Sequence, residues 1–135
     1  VKPLMVSEIG FNPYASCLIT TDSMIADNYD VVARMVVASR EGWQKYFESP
    51  SETNALILAE NEHGMTQESL DFGVAELKPL CIPEGISPGD IGVMSAERWE
   101  TLVKQFVDLK LVDPSKFSAG DVYTLDFLDR TAPTE

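Results

Sequence analysis

Three side chains near the start of the chain have the chemistry to bind a small solute: Glu8, Tyr14 and Ser16. A tyrosine offers a ring for stacking and a hydroxyl for a hydrogen bond, a serine can bond an anionic oxygen, and a glutamate can meet an amine or ring nitrogen. Gly10 and the pair Asn12–Pro13 break regular structure in the same stretch. The competing interpretation is therefore a simple turn against which Tyr14 packs, and the residue types alone leave both open.

The other reactive side chains predict no further site. We expect His63, the only histidine, to lie on the surface near a helix end, where an imidazolium favours the negative end of the helix dipole. Cys17 and Cys81 each sit in an apolar run, which is typical of small buried residues, and a disulfide between them stays open. The sequence contains no nucleophile elbow, phosphate loop or dinucleotide fingerprint. It therefore predicts no catalytic residue, no metal site and no cofactor.

Two short strands and four or five helices are the elements predicted around these residues. The apolar residues 4–6 and 15–20 are typical of buried strands joined by a turn. Helix-start signals followed by apolar stripes occur at Asn28, Ser49, Thr66 and Ser95. We expect these helices to continue to Phe47, to Ala59, to a point before Pro79 and to a point before Asp113. Trp43 and Trp99 lie on the stripes, so we expect both in the core.

Length and charge restrict the classes of function. The 135 residues are enough for one domain, and no apolar segment approaches the roughly 20 residues needed to span a bilayer. With 22 acidic against 10 basic residues the formal charge is −12, which argues against long-range attraction to nucleic acid or to an anionic membrane. We predict no nucleic-acid partner.

The order of several short motifs carries a resemblance to a known family. Gly-x-x-Pro-Tyr occupies residues 10–14, Thr-x-Asp follows at 20–22, and a long amphipathic helix closes on Glu-Gly-Trp at 41–43. A late Tyr-Thr-x-x-Phe-Leu occupies residues 123–128. In this order the motifs resemble the solute-binding proteins of ABC importers for nitrate, alkanesulfonates, taurine and thiamine-precursor pyrimidines.

The resemblance implies an α/β fold of the type II periplasmic-binding-protein kind. The chain would be the carboxy-terminal part of one lobe, mostly helical with two short strands, and the rest of the sheet would come from residues before Val1. Residues 1–14 would form the crossover or hinge segment returning from lobe two. Residues 15–130 would belong to lobe one, and 131–135 would be a tail.

The resemblance also implies a function and a location. In the family the linking segments run along the base of the ligand cleft, which would bring Glu8, Tyr14 and Ser16 near the solute. The expected function is capture of a small polar solute outside the cytoplasm and delivery to an ABC permease, without enzymatic chemistry. The location would be periplasmic or extracytoplasmic, membrane-associated in a Gram-positive source. The motifs do not identify the solute.

Two other classes of function stay open. One branch resembling the family makes a thiamine pyrimidine by consuming a histidine of its own chain, but the cysteine-rich motif of that branch does not occur in these residues. A stand-alone helical interaction domain is the second alternative. Because two strands cannot form a stable sheet by themselves, we expect the isolated chain to self-associate, most simply as a two-fold dimer through residues 4–20.

Overall fold

The computed structural model describes residues 4–128. Its regular elements are five α-helices and three short 3₁₀ helices, with no strand anywhere in that range. The α-helices are α1 (Asp22–Asp27), α2 (Tyr29–Glu48), α3 (Pro50–Ala59), α4 (Gln67–Cys81) and α5 (Ala96–Asp108), and the 3₁₀ helices are Val6–Ile9, Pro88–Asp90 and Ala119–Asp121.

The described chain divides into two compact units. Unit 1 combines residues 4–28 with 94–128, and unit 2 consists of residues 29–93. These divisions differ from the predicted boundary after residue 14, which stays a prediction. The predicted tail, residues 131–135, lies outside the described residues.

Neither segment predicted as a strand is a strand in this structure. Val6–Ile9 form a 3₁₀ helix that ends at Gly10, and residues 15–20 have no regular structure. A strand is stable only when its backbone groups pair with a neighbour, and the described residues offer no second strand to supply that pairing. The α/β class therefore stays a prediction, because it depends on a sheet that these residues do not form.

The prediction of a buried Cys17 was wrong for the same reason. Cys17 is exposed because residues 15–20 pack into no sheet, whereas Cys81, at the end of α4, is half-buried. That burial raises the pKa of the Cys81 thiol. Both cysteines are free thiols.

Local capping signals predicted the helix starts correctly. The Thr66 hydroxyl accepts a bond from the backbone N–H of Ser69 (3.2 Å) and begins α4, and the Ser95 hydroxyl accepts one from Arg98 (3.3 Å) and begins α5. At Ser49 the helix begins as expected with proline in its first turn, but the serine side chain makes no capping bond. Proline pre-organises that start by fixing its own φ.

The predicted end of α4 before Pro79 was wrong. The helix continues through Pro79 to Cys81, and Ile82 then donates a backbone bond of 2.8 Å to the carbonyl of Lys78. Proline removes one backbone donor and its ring crowds the preceding turn. In the last turn that cost is tolerated, because few helical bonds remain to be lost.

In unit 2, α2 packs on α3 and on Pro88–Asp90, and α3 packs on α4. The buried residues of this unit are Ala33, Val37, Phe47, Asn54 and Ile91. Trp43 was predicted to lie in the core, but 43% of its surface is exposed. Its ring instead packs beside two other aromatic rings of α2, with its centre 5.6 Å from that of Phe47 and 5.9 Å from that of Tyr46.

One polar side chain lies inside this apolar unit. Asn54 on α3 is completely buried, and its Oδ1 accepts a 3.0 Å hydrogen bond from the hydroxyl of Tyr46 on α2. Its Nδ2 finds no hydrogen-bond partner among residues 4–128. A buried amide in this state depends strongly on the bond that it does make.

We predict that Tyr46→Phe will lower the free energy of unfolding by about 1–3 kcal/mol, because it leaves both polar ends of Asn54 buried without a partner. In the double variant Tyr46→Phe/Asn54→Leu much of that loss should return, since both polar groups are then removed. Urea unfolding followed by circular dichroism measures both. A double variant less stable than Tyr46→Phe alone would contradict this explanation.

Candidate functional site

The candidate site lies in unit 1, where residues 10–14, hereafter the turn segment, pack against α5. Arg98 donates to the segment three times: from Nε to the Asn12 carbonyl (2.7 Å), and from Nη2 to Asn12 Oδ1 (2.8 Å) and the Pro13 carbonyl (2.9 Å). Two helical turns further along, Gln105 Nε2 donates to the Gly10 carbonyl (2.8 Å). Residues seven apart lie on one helix face, so a single polar face of α5 holds both ends of the turn segment.

Gly10 gives the turn segment its shape. Its φ is 88°, a conformation that strains residues with a side chain, and its backbone N–H closes the preceding 3₁₀ helix by bonding the Ser7 carbonyl. The carbonyl of Gly10 is thereby left to accept the bond from Gln105. This backbone conformation favours glycine, and it agrees with the prediction that Gly10 breaks regular structure.

Tyr14 is the one predicted site residue with several contacts. Its hydroxyl accepts a 2.8 Å bond from the backbone N–H of Ser95, and the guanidinium carbon of Arg98 lies 4.0 Å from its ring centre. The ring centre of Trp99 is 5.4 Å away. Tyr14 therefore packs on α5, whereas the competing interpretation given above had it pack against the turn itself. The hydroxyl still keeps its own proton to donate, and the ligand-binding role of Tyr14 stays a prediction.

Glu8 and Ser16 are placed differently. Glu8 lies in the 3₁₀ helix Val6–Ile9 and Ser16 in a bend, and both side chains are exposed. Neither is hydrogen-bonded to Tyr14 or to the other within the described part of the chain. The structure does not bring the three predicted site residues together through direct bonds, and the roles of Glu8 and Ser16 stay predictions.

Aromatic rings add to the contact between the turn segment and α5, and one pair extends it to Tyr123. Trp99 lies parallel to Tyr123, with ring centres 5.5 Å apart and an interplanar angle of 6°, and Phe11 stacks on Phe106 at 6.5 Å. Each such pair is worth about 0.5–1.5 kcal/mol beyond the area that it buries. Trp99, predicted to lie in the core, is half-buried, and its Nε1 is buried without a hydrogen-bond partner within residues 4–128.

A short carboxylate-bonded turn comes just before Tyr123. The backbone N–H and hydroxyl of Ser118 donate to Oδ2 of Asp121 at 2.6 and 2.9 Å, closing the 3₁₀ helix Ala119–Asp121. The backbone bond and then the hydroxyl bond favour the charged carboxylate and lower the pKa of Asp121. Ser115 lowers the pKa of Asp113 in the same way.

A solvent-open groove of about 230 Å³ runs between the turn segment and α5. It is lined by Gly10, Asn12, Ser95, Glu97, Arg98, Thr101, Leu102 and Gln105. Pockets that enclose small ligands usually measure about 300–1,000 Å³. The groove is thus smaller than a typical ligand pocket and does not enclose a solute.

Sequence reasoning missed Arg98 and Gln105. Both lie on a helix whose start was predicted correctly, but their acceptors are 86 and 95 residues away along the chain. No local pattern links positions so far apart. The available signal was the pairing of an arginine and a glutamine two turns apart on the polar face of α5.

No group of three or more His, Cys, Asp or Glu side chains is placed to hold a metal ion within residues 4–128. None of the helices in that range has the length and apolar character needed to cross a membrane.

The comparisons with known proteins agree with the resemblance over part of the chain. A family model described as NMT1/THI5 like matches residues 1–53 of the 135. This match supports the predicted relationship to solute-binding proteins and a role related to thiamine precursors. No curated protein and no solved structure matches the chain.

The lowered pKa of Asp121 predicts a specific response to acid. The carboxylate should keep its bonds to Ser118 at and above its ordinary pKa of 3.8, and lose them only as the pH falls through the lower folded value. We expect the chemical shift of the Ser118 amide proton to titrate with a midpoint below 3.8. The titration should vanish in Asp121→Asn, and a midpoint at or above 3.8 would contradict the bond.

Proposed function

We propose that this chain is the carboxy-terminal part of an extracytoplasmic solute-binding protein that captures a small polar solute for an ABC importer. The solute belongs to the class of thiamine-precursor pyrimidines, sulfonates, taurine or nitrate. The observation that carries the proposal is the family match over residues 1–53, which contains the turn segment and the Glu-Gly-Trp motif at 41–43.

The geometry of unit 1 supports this assignment. The late motif at residues 123–128 lies outside the family match, yet it belongs to the same compact unit as the turn segment. Both motifs reach α5, since Tyr14 and Tyr123 each contact Trp99. Two motifs chosen from the sequence for their resemblance to one family therefore meet on one helix.

The groove beside the turn segment is consistent with a binding site to which a second lobe contributes the other wall. A cleft-type site needs two lobes, and the groove beside the turn segment is small and open. The exposed side chains of Glu8 and Ser16 are available to a solute at such a cleft. In this proposal Glu8, Tyr14 and Ser16 line the part of the cleft that this chain contributes.

Exposed apolar side chains in residues 4–20 support the proposal that further structure packs against this part of the chain. Large apolar side chains are strongly exposed there: Leu4 by 77%, Ile9 by 74%, Leu18 by 57% and Ile19 by 93%. Where such exposed apolar side chains adjoin one another, they form the kind of patch that marks an interface. In this proposal residues 15–20 pair as a strand in the sheet of lobe one, which covers Leu18 and Ile19, whereas Leu4 and Ile9 belong to the hinge segment.

Other parts of the proposal follow from the resemblance alone. These are the location outside the cytoplasm, the contact with an ABC permease, the hinge role of residues 1–14 and the absence of covalent chemistry. A pyrimidine-synthase-like activity would instead require reactive groups that the resemblance does not place in this chain.

The first test is calorimetric titration with a thiamine pyrimidine, taurine, an alkanesulfonate and nitrate. Residues 1–135 should bind none of them more tightly than about 1 mM, roughly 4 kcal/mol. A longer protein that contains this chain should bind one of them at micromolar concentration. Tyr14→Phe should then weaken that binding by about 0.5–1.5 kcal/mol, and Tyr14→Ala by more.

The matched control is Tyr29→Phe, which removes a tyrosine hydroxyl outside the turn segment and should leave the affinity unchanged. Micromolar binding by residues 1–135 would show that the site is complete within this chain. Failure of the longer protein to bind any of the four solutes would contradict the proposed function.

The second test concerns the exposed apolar surface of residues 4–20. We predict that residues 1–135 form a dimer, measured by light scattering over a concentration series, because exposed apolar side chains favour association. Ile19→Ser should weaken the dimer, whereas Leu109→Ser, on a residue exposed by 65%, should not. A monomer that binds no hydrophobic dye would favour a stand-alone helical interaction domain.

A further inference from the structure

We propose that Arg98 is a polar latch that holds the turn segment on α5 and can release it without unfolding the helix. The latch consists of the Arg98 guanidinium and its acceptors on Asn12 and Pro13. It is assisted by Gln105 at Gly10. The latch itself does not rest on the proposed function.

The guanidinium is the hub of these contacts. Two of its nitrogens make three bonds of 2.7–2.9 Å, and its carbon lies 4.0 Å from the ring centre of Tyr14. Planar guanidinium donors are fixed in a fork, so several acceptors can be met at once only when the backbone is placed correctly. Losing Arg98 would therefore remove contacts to three consecutive residues of the turn segment.

The partners of Arg98 are unusual for this chain. The chain has 22 acidic and 10 basic residues, yet no carboxylate forms an ion pair with Arg98 within residues 4–128. The guanidinium bonds to two backbone carbonyls and one amide oxygen. Its positive charge is thus used to hold neutral backbone groups in place.

The contacts also make the latch reversible. Arg98 and Gln105 bond exposed or half-buried groups, which water can replace on release. The preceding 3₁₀ helix has no buried residue. The apolar contacts that release must break are therefore the two ring contacts of the turn segment, Phe11 on Phe106 and Tyr14 on Trp99. The helix bonds of α5 do not involve the turn segment. Opening would therefore detach residues 10–14 and leave α5 formed.

Release would uncover specific groups. The backbone N–H of Ser95 would lose the Tyr14 hydroxyl, and Trp99 would lose the Tyr14 ring while keeping Tyr123. If the proposed function holds, the latch sets where Tyr14 stands at the cleft, and Arg98 is a positioning residue that acts through Tyr14. The backbone N–H of Ser95 and the ring of Trp99 can therefore be used to detect opening in the absence of any solute.

The test compares Arg98→Gln, Arg98→Lys and Lys104→Gln, each in a Trp43→Phe background so that Trp99 is the one tryptophan. Lys104 lies on the same helix and pairs with Asp108, which makes it a matched loss of charge. Hydrogen exchange of the Ser95 amide should become about tenfold faster in both Arg98 variants and stay unchanged in Lys104→Gln. Acrylamide quenching of Trp99 should rise in parallel, with helical circular dichroism retained.

Three outcomes would overturn the latch. Equal Ser95 exchange in Arg98→Gln and Lys104→Gln would show that Arg98 does not hold the turn segment. Parent-like behaviour of Arg98→Lys would show that a point charge suffices and that the fork is not used. Uniformly faster exchange along all of α5 would show that Arg98 only stabilises the helix.

A milder variant covers the case in which the Arg98 variants fail to fold. Asn12→Ala removes one acceptor from an exposed side chain and leaves the guanidinium in place. It should speed Ser95 exchange about two- to threefold. No change in Asn12→Ala, measured on folded protein, would count against the latch. None of these measurements uses a solute. A result that contradicts the latch is therefore distinct from a result that contradicts the proposed function.

Discussion

Unit 1 depends on one contact, the guanidinium of Arg98 on the backbone of the turn segment. The bonds that join these parts link residues 81 to 95 positions apart. Closing so long a loop costs entropy, and the cost grows only slowly with length, so a few well-placed bonds and ring contacts can offset it. Gly10, Tyr14 and Trp99 are arranged around this contact.

Unit 2 is held by a different kind of interaction. Its helices follow one another in sequence and pack in that order, α2 on α3 and α3 on α4. The aromatic cluster of Trp43, Tyr46 and Phe47 comes from a single turn of α2. The buried amide of Asn54 fixes the register of α3 against that cluster through one hydrogen bond. Successive helices therefore pack on one another here, and α2 adds one contact with the distant segment Pro88–Asp90. In unit 1, by contrast, the turn segment and α5 are joined by contacts between distant segments alone.

This difference explains what could be predicted from the sequence. The starts of α4 and α5 were predicted because Thr66 and Ser95 bond to backbone groups only three residues away. Strands at 4–6 and 15–20 were not found, since a strand depends on a partner that no local pattern supplies. The sequence offered packing of Tyr14 against the turn as one interpretation, but it did not predict the contact with α5. The residues that make it specific, Arg98 above all, are linked to the turn by the fold alone.

The polar face of α5 has a consequence for how this region can vary in length. Ser95, Arg98 and Gln105 each bond the turn segment, so their angular positions around the helix axis are tied to one another. Inserting or deleting one residue between Ser95 and Gln105 would rotate one end of this set by about 100° relative to the other. Side chains pointing to solvent, such as Glu100, can be exchanged freely, but the number of residues between the first and last contact cannot change.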